Sequence, residues 1–133
     1  MTQISPMLAV SDGSEAVRFY QAAFGATLLW QLDGGHMVAG LEIAGAPFFL
    51  AQESPPHGTR SPSSSGFTTV RIELFVDDPV EVHRRALAAG ARERSPVAEH
   101  THETSGVRPI RRTLQGAVLD PFGHMWLIGK ILE

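Results

Sequence analysis

The chain has 133 residues, enough for one compact domain or for two half-size modules sharing a core. Hydrophobic residues make up 43% and charged residues 19%, with a formal net charge of −3. The basic residues are scattered apart from Arg92/Arg94 and Arg111/Arg112, which gives no cationic footprint for nucleic acid. Cysteine is absent, which excludes disulfides, thiolate metal sites and cysteine nucleophiles. No apolar run approaches a membrane span, and residues 1–6 lack the basic and apolar regions of a signal peptide. The expectation is a cytoplasmic protein with neither nucleic acid nor membrane as partner.

The first strand is expected over residues 4–10, with Ile4, Leu8 and Val10 on one face and Ser5, Met7 and Ala9 on the other. Asp12 or Ser11 can then cap a helix over 13–24. Glu15 falls in its first turn, where negative charge suits the helix dipole. Ala16, Phe19, Tyr20 and Ala23 recur at helical spacing, and Gly25 sits where a left-handed residue would end the helix. Three strands follow, over 26–32, 36–44 and 47–52, with Asp33-Gly34-Gly35 as a hairpin turn. Residues 54–66, rich in Pro, Ser and Gly and without periodicity, form a connector.

The second half repeats this order. Val10, Asp12, Glu15, Arg18, Ala22 and Ala23 recur 66 positions later as Val76, Asp78, Glu81, Arg84, Ala88 and Ala89. A strand over 69–76 puts Ile72, Leu74 and Val76 opposite Arg71, Glu73 and Phe75. Asp78 or Asp77 caps a helix over 79–89, Pro79 suits its first position, and Gly90 stops it. Strands over 92–99, 111–120 and 124–131 follow, with Pro121-Phe122-Gly123 as a turn. Residues 100–109 lack periodicity. The pattern is βαβββ twice: a first module over 1–53, a connector over 54–67 and a second module over 68–133.

The run Ala117-Val118-Leu119-Asp120-Pro121-Phe122-Gly123-His124-Met125-Trp126 resembles the last turn and strand of vicinal-oxygen-chelate proteins, the glyoxalase/bleomycin-resistance/dioxygenase superfamily. It looks closest to the PhnB-like branch. Ile4-Ser5-Pro6, Val10-Ser11-Asp12-Gly13 and Phe19-Tyr20 before Phe24-Gly25-Ala26 look like the first module of that branch. The resemblance spans nearly the whole chain. It implies an α+β fold of paired βαβββ modules forming a curved mixed-sheet cup, with helices on the outer face, and a homodimer.

In metal-dependent members, four ligands on the first and last strands of each module point into the cup. Carried over by position, they fall on Ser5, at or near Phe49, on Arg71 and on Leu127. Phenylalanine and leucine cannot ligate, arginine has no lone pair to offer, and serine is a poor ligand. The resemblance therefore implies no metal and no other cofactor. A cup with Met7, Phe49, Met125 and Leu127 as apolar walls and Ser5, Arg71 and Glu73 as polar anchors suits a flat or amphipathic small molecule. Arg71 could hold an anionic group of such a ligand. No catalytic residue stands out.

A metal-dependent lyase, isomerase or dioxygenase using His36, His100, His102 and Glu103 as displaced ligands is the alternative. The stretch from His100 to Glu103 is expected to be a solvated loop or flap, and His57 and His83 to be without a chemical role. His124 should make a structural hydrogen bond in its turn. Trp30 and Trp126 are expected in core or subunit packing, with Trp126 facing the helices.

Overall fold

The computed structural model describes residues 1–34 and 36–133. Strand β1 (Met7–Val10) leads into helix α1 (Gly13–Phe24), then β2 (Thr27–Leu32), β3 (Val38–Ile43) and β4 (Ala46–Gln52). The connector holds a 3-10 turn (Pro55–His57) and the one-turn helix α2 (Pro62–Ser65). After it come β5 (Arg71–Phe75), α3 (Pro79–Ala89), β6 (Arg92–Thr101), β7 (Arg112–Leu119) and β8 (Met125–Ile131). The strands make two four-stranded mixed sheets, ordered β1-β4-β3-β2 and β5-β8-β7-β6, so the βαβββ repeat is real at the level of topology.

Local chemistry explains the helix limits. Asp12 accepts from the backbone N–H of Glu15, and Asp78 from that of Glu81, each satisfying an orphan amide of the first turn. Gly25, at φ 65°, supplies the left-handed residue after α1. Between β3 and β4, Ala44 and Gly45 form a two-residue loop with both φ positive, at 48° and 88°. That geometry matches the twist of the flanking strands, but costs strain at the alanine. Of the turn expected at Asp33-Gly34-Gly35, Gly35 lies outside the described residues.

The alternation of each strand sorts its side chains to two faces. Leu8 and Val10, Leu41, Leu50, Val118, Trp126 and Ile128 all enter one cluster with residues of α1 and α3. Both sheets thus turn their helix-side faces into a single core. Its centre is aromatic: Trp126 lies 4.7 Å from Phe24, 5.5 Å from Tyr20 and 5.7 Å from Phe48 between ring centroids. Tyr20, Phe24 and Phe48 come from the first module and Trp126 from the second, so burial of apolar surface is common to both halves.

Three expectations need correction. Ile4 precedes β1 and is 90% exposed, because the first strand begins only where its backbone can pair with β4. The connector is not wholly irregular: Ser61 caps α2, and Glu53 accepts from the Ser61 N–H and the Ser64 hydroxyl. These hydrogen bonds, led by the backbone one, hold the Glu53 carboxyl below its ordinary value. Finally, β6 runs on to Thr101, with His100 paired to Thr113, Thr101 to Arg112, and the His102 N–H bonded to the Arg111 carbonyl. The expected flap is therefore, in its first part, the arm of a hairpin whose partner strand lies a dozen residues downstream.

Candidate functional site

Each sheet presents its second face away from the shared core. On the first sheet, β1 and β4 run parallel with Met7 paired to Phe49, and the Phe49 N–H is bonded to the Pro6 carbonyl. Met7 is 55% exposed and Phe49 half-buried. Trp30 of β2 lies across Gly40 of β3, its ring centroid 5.4 Å from that of Phe49. A Cβ on Gly40 would run into the indole, so the glycine is what lets the ring lie flat on the sheet. Trp30 is not core: 41% of it remains exposed. Ser5 sits just before β1 and is hydrogen-bonded to the Gln3 side chain.

On the second sheet, β5 and β8 run parallel with Arg71 paired to Met125 and Glu73 to Leu127. Glu73 accepts from the Gln115 amide at 3.1 Å, while Arg71 has no ion pair among the described residues. A depression of about 190 Å³ lies beside Glu73, Phe75, Thr113, Gln115 and His102. The seven candidate residues thus divide into two sets: Ser5, Met7 and Phe49 on one sheet, and Arg71, Glu73, Met125 and Leu127 on the other. Strand register makes neighbours of Met7 and Phe49, and of the four residues on the second sheet, while Ser5 precedes β1 outside the register. Gln115 was missed from sequence, because only the pairing of β7 with β8 shows that its side chain crosses Gly129 to reach Glu73 two strands away.

The turn after β7 does structural work. Asp120 is buried, and both its oxygens are saturated with donors. One accepts from the backbone N–H groups of Phe122 and His124, each at 2.9 Å. The other accepts from the Tyr20 hydroxyl at 2.6 Å and the Trp126 indole at 2.9 Å. Burial, then the neighbouring Asp120 charge, push the Tyr20 hydroxyl well above its ordinary pKa. His124 reaches from the same turn to the Ala9 carbonyl of β1 at 2.7 Å. The motif therefore clasps the second module to the first.

The histidines are dispersed. His83 is buried on α3 and contacts Glu93 at 3.0 Å. His100 and His102 face β7, bonded through Nε2 to the Gln115 carbonyl and the Thr113 hydroxyl, whereas His36 lies beside His57 with ring centroids 6.5 Å apart. Among the described residues, no three His, Asp or Glu side chains gather where they could hold a metal ion within the chain. The positions that the resemblance assigns to ligands carry Ser5, Phe49, Arg71 and Leu127, and this set offers a divalent cation at most one weak oxygen donor.

Two βαβββ units around a common core, with open and partly apolar sheet faces, define a paired-module α+β scaffold. The sequence matches the Glyoxalase/Bleomycin resistance protein/Dioxygenase superfamily over residues 3–128, and the chain belongs to that superfamily. It is 37% identical over 133 aligned positions to an uncharacterized protein of Mycobacterium bovis, covering 96% of this chain and 82% of the relative. Among solved structures, a gene product of Arabidopsis thaliana is 27% identical with a TM-score of 0.67, covering 96% of this chain and 97% of that one. TioX from a Micromonospora strain is 23% identical with a TM-score of 0.66, covering 97% of this chain and 95% of its own. The fosfomycin resistance protein FosX from Mesorhizobium loti is 15% identical with a TM-score of 0.65, covering 95% and 88%. With these last two the likeness is one of fold. Among the described residues, no helix is long and apolar enough to cross a membrane.

Proposed function

We propose that the chain is a small-molecule-binding member of the superfamily, whose cup is completed between two copies and works without the family's metal. The observation that carries this reading is the make-up of the two outward faces. One is an aromatic and apolar wall of Met7, Phe49 and Trp30. The other combines Met125 and Leu127 with Arg71 and the Glu73–Gln115 pair. Met7 and Trp30 on the first face and Phe75 on the second are left exposed, and such large apolar side chains are better accounted for by a covering surface than by solvent. The first-module face of one copy set against the second-module face of another would enclose a cavity with both chemistries.

A flat or amphipathic ligand suits this combination. Its apolar part would lie against Trp30 and Phe49, and an anionic group would be held by two hydrogen bonds from Arg71. The Asp120–Trp126 turn supports a place in the PhnB-like branch, and the cytoplasm is the compartment in which we expect it to work. The test has two arms. After incubation with nickel, manganese, zinc and iron(II) and desalting, elemental analysis should find no stoichiometric metal; one ion held per chain would overturn the metal-free reading. Thermal-shift screening with aromatic and anionic compounds should find a stabilising ligand, and sedimentation should give a dimer at micromolar concentration. Silence across the compound panel, or a monomer, would refute the cup.

A further inference from the structure

A groove also lies between the connector and the second sheet, meeting the open sheet face at Met125. It measures about 660 Å³, and Phe67, Arg92, Arg94, Leu119 and Met125 are among the residues that line it. Its position follows from packing of the connector on the Asp120 turn. The Ser63 N–H bonds the Phe122 carbonyl at 2.9 Å, and Gly123 lies so close to Pro62 and Ser63 that a Cβ would collide with them. That contact fixes one wall, and β6 supplies the other.

Two guanidinium groups line this groove without a partner. Among the described residues, neither Arg92 nor Arg94 takes part in an ion pair or a side-chain hydrogen bond. The nearby carboxylates are engaged elsewhere. Glu93, between them in sequence, reaches the buried His83, and both oxygens of Asp120 are saturated with four donors. The groove therefore sets two guanidinium groups without an ion-pair partner beside apolar walls, with Phe67 left 68% exposed and the Asp120 carboxylate, held by neutral donors, also in its lining. Strand register adds a further feature. Arg71 pairs with Met125, Met125 with Leu119, and Leu119 with Arg92, so one row across four strands has an arginine at each end and two apolar side chains between. At the usual strand spacing, the ends of that row are about 14 Å apart.

We propose that this groove is a binding site for a small organic anion, with its carboxylate or phosphate head on Arg92 and Arg94 and its apolar body over Phe67, Leu119 and Met125. Guanidinium groups offer planar, paired donors that match such heads, and the cavity has the size of sites for small organic molecules. The site lies within one chain and requires no second copy, although it shares Met125 with the second-sheet face of the cup.

The test is titration calorimetry of the whole protein with phenyl phosphate, benzyl alcohol as a neutral counterpart, and inorganic phosphate. Wild type should bind phenyl phosphate, more weakly as salt is raised, and more tightly than either of the other two probes. Arg92→Gln and Arg94→Gln, both exposed sites where folding is checked by circular dichroism, should each weaken phenyl phosphate about tenfold or more. Arg71→Gln, at the far end of the row, should leave it within about threefold, roughly 0.6 kcal/mol. No binding by wild type, equal binding of inorganic phosphate, or loss in Arg71→Gln but not in the other two variants would each overturn the assignment. The last result would place the anion on the open face of the cup instead.

Discussion

Asp120 accepts four hydrogen bonds and has nothing but donors around it, which makes its replacement by asparagine a sharp test. The amide keeps the shape and one acceptor oxygen, but its NH2 must face one of the two donor pairs. The Tyr20 hydroxyl can turn to accept, whereas the Trp126 indole and the backbone amides of Phe122 and His124 cannot. At least one donor is left buried and unpaired whichever way the amide sits. Each lost hydrogen bond to a charged acceptor is worth about 1.5–3 kcal/mol, and stranded buried groups add to it. The expected loss for Asp120→Asn is about 3–5 kcal/mol, a large share of the roughly 5–15 kcal/mol that holds a domain together. Tyr20→Phe removes a single donor and should cost about 1–2 kcal/mol. Urea unfolding followed by circular dichroism would measure both, and the double variant should show a coupling of at least about 0.5 kcal/mol. A loss below about 1 kcal/mol in Asp120→Asn would refute the view that this carboxylate clasps the two modules.

Three further outcomes follow from particular residues. The chain has a single tyrosine, so tyrosinate absorbance reports Tyr20 alone and should not develop in the folded protein until well above pH 10. Because the folded pKa is raised, the stabilisation is complete below the unfolded value, near 10, and is lost as pH rises beyond it; Tyr20→Phe should remove that part of the alkaline decline. Ala44→Gly relieves the positive φ in the β3–β4 turn and should raise stability by about 0.5–1 kcal/mol in thermal unfolding, whereas a loss would mean that the turn is not strained. Gly40→Ala must lift the Trp30 ring off the sheet, so indole fluorescence should change and any ligand found by screening should bind more weakly, with the core intact by circular dichroism.

Helices α1 and α3 were legible because each is bracketed by local chemistry: an aspartate whose oxygen caps the first turn and a glycine after the last. Strand alternation likewise assigned Trp126 to the helix side, where it is 2% exposed. What escaped was set by partners distant in sequence. The extension of β6 through His100 depends on pairing with Thr113, and α2 is a single turn held by Glu53, too short to show a period. The Asp120 turn was recognisable as a motif, but its purpose was not, since Tyr20 lies 100 residues away. The site was legible only in halves. Position and parity gave the open-face residues, while the row from Arg71 to Arg92 needed the register of three strand pairs.

In β1, β4, β5 and β8 the even-and-odd order of side chains divides two tasks. The positions that face inward hold the halves together, and those between them face outward with little influence on folding. Ser5, Phe49, Arg71 and Leu127 all lie among the outward set or beside it, half-buried at most. Exchanging a metal-binding side chain for phenylalanine or leucine at such positions leaves the aromatic centre around Trp126 untouched. A scaffold arranged in this way can change what it recognises one residue at a time, and each step is nearly neutral for its stability. For an engineer, the outward positions are accordingly a surface that can be rewritten in bulk, provided that Gly40, Asp120 and Gly123 are left alone.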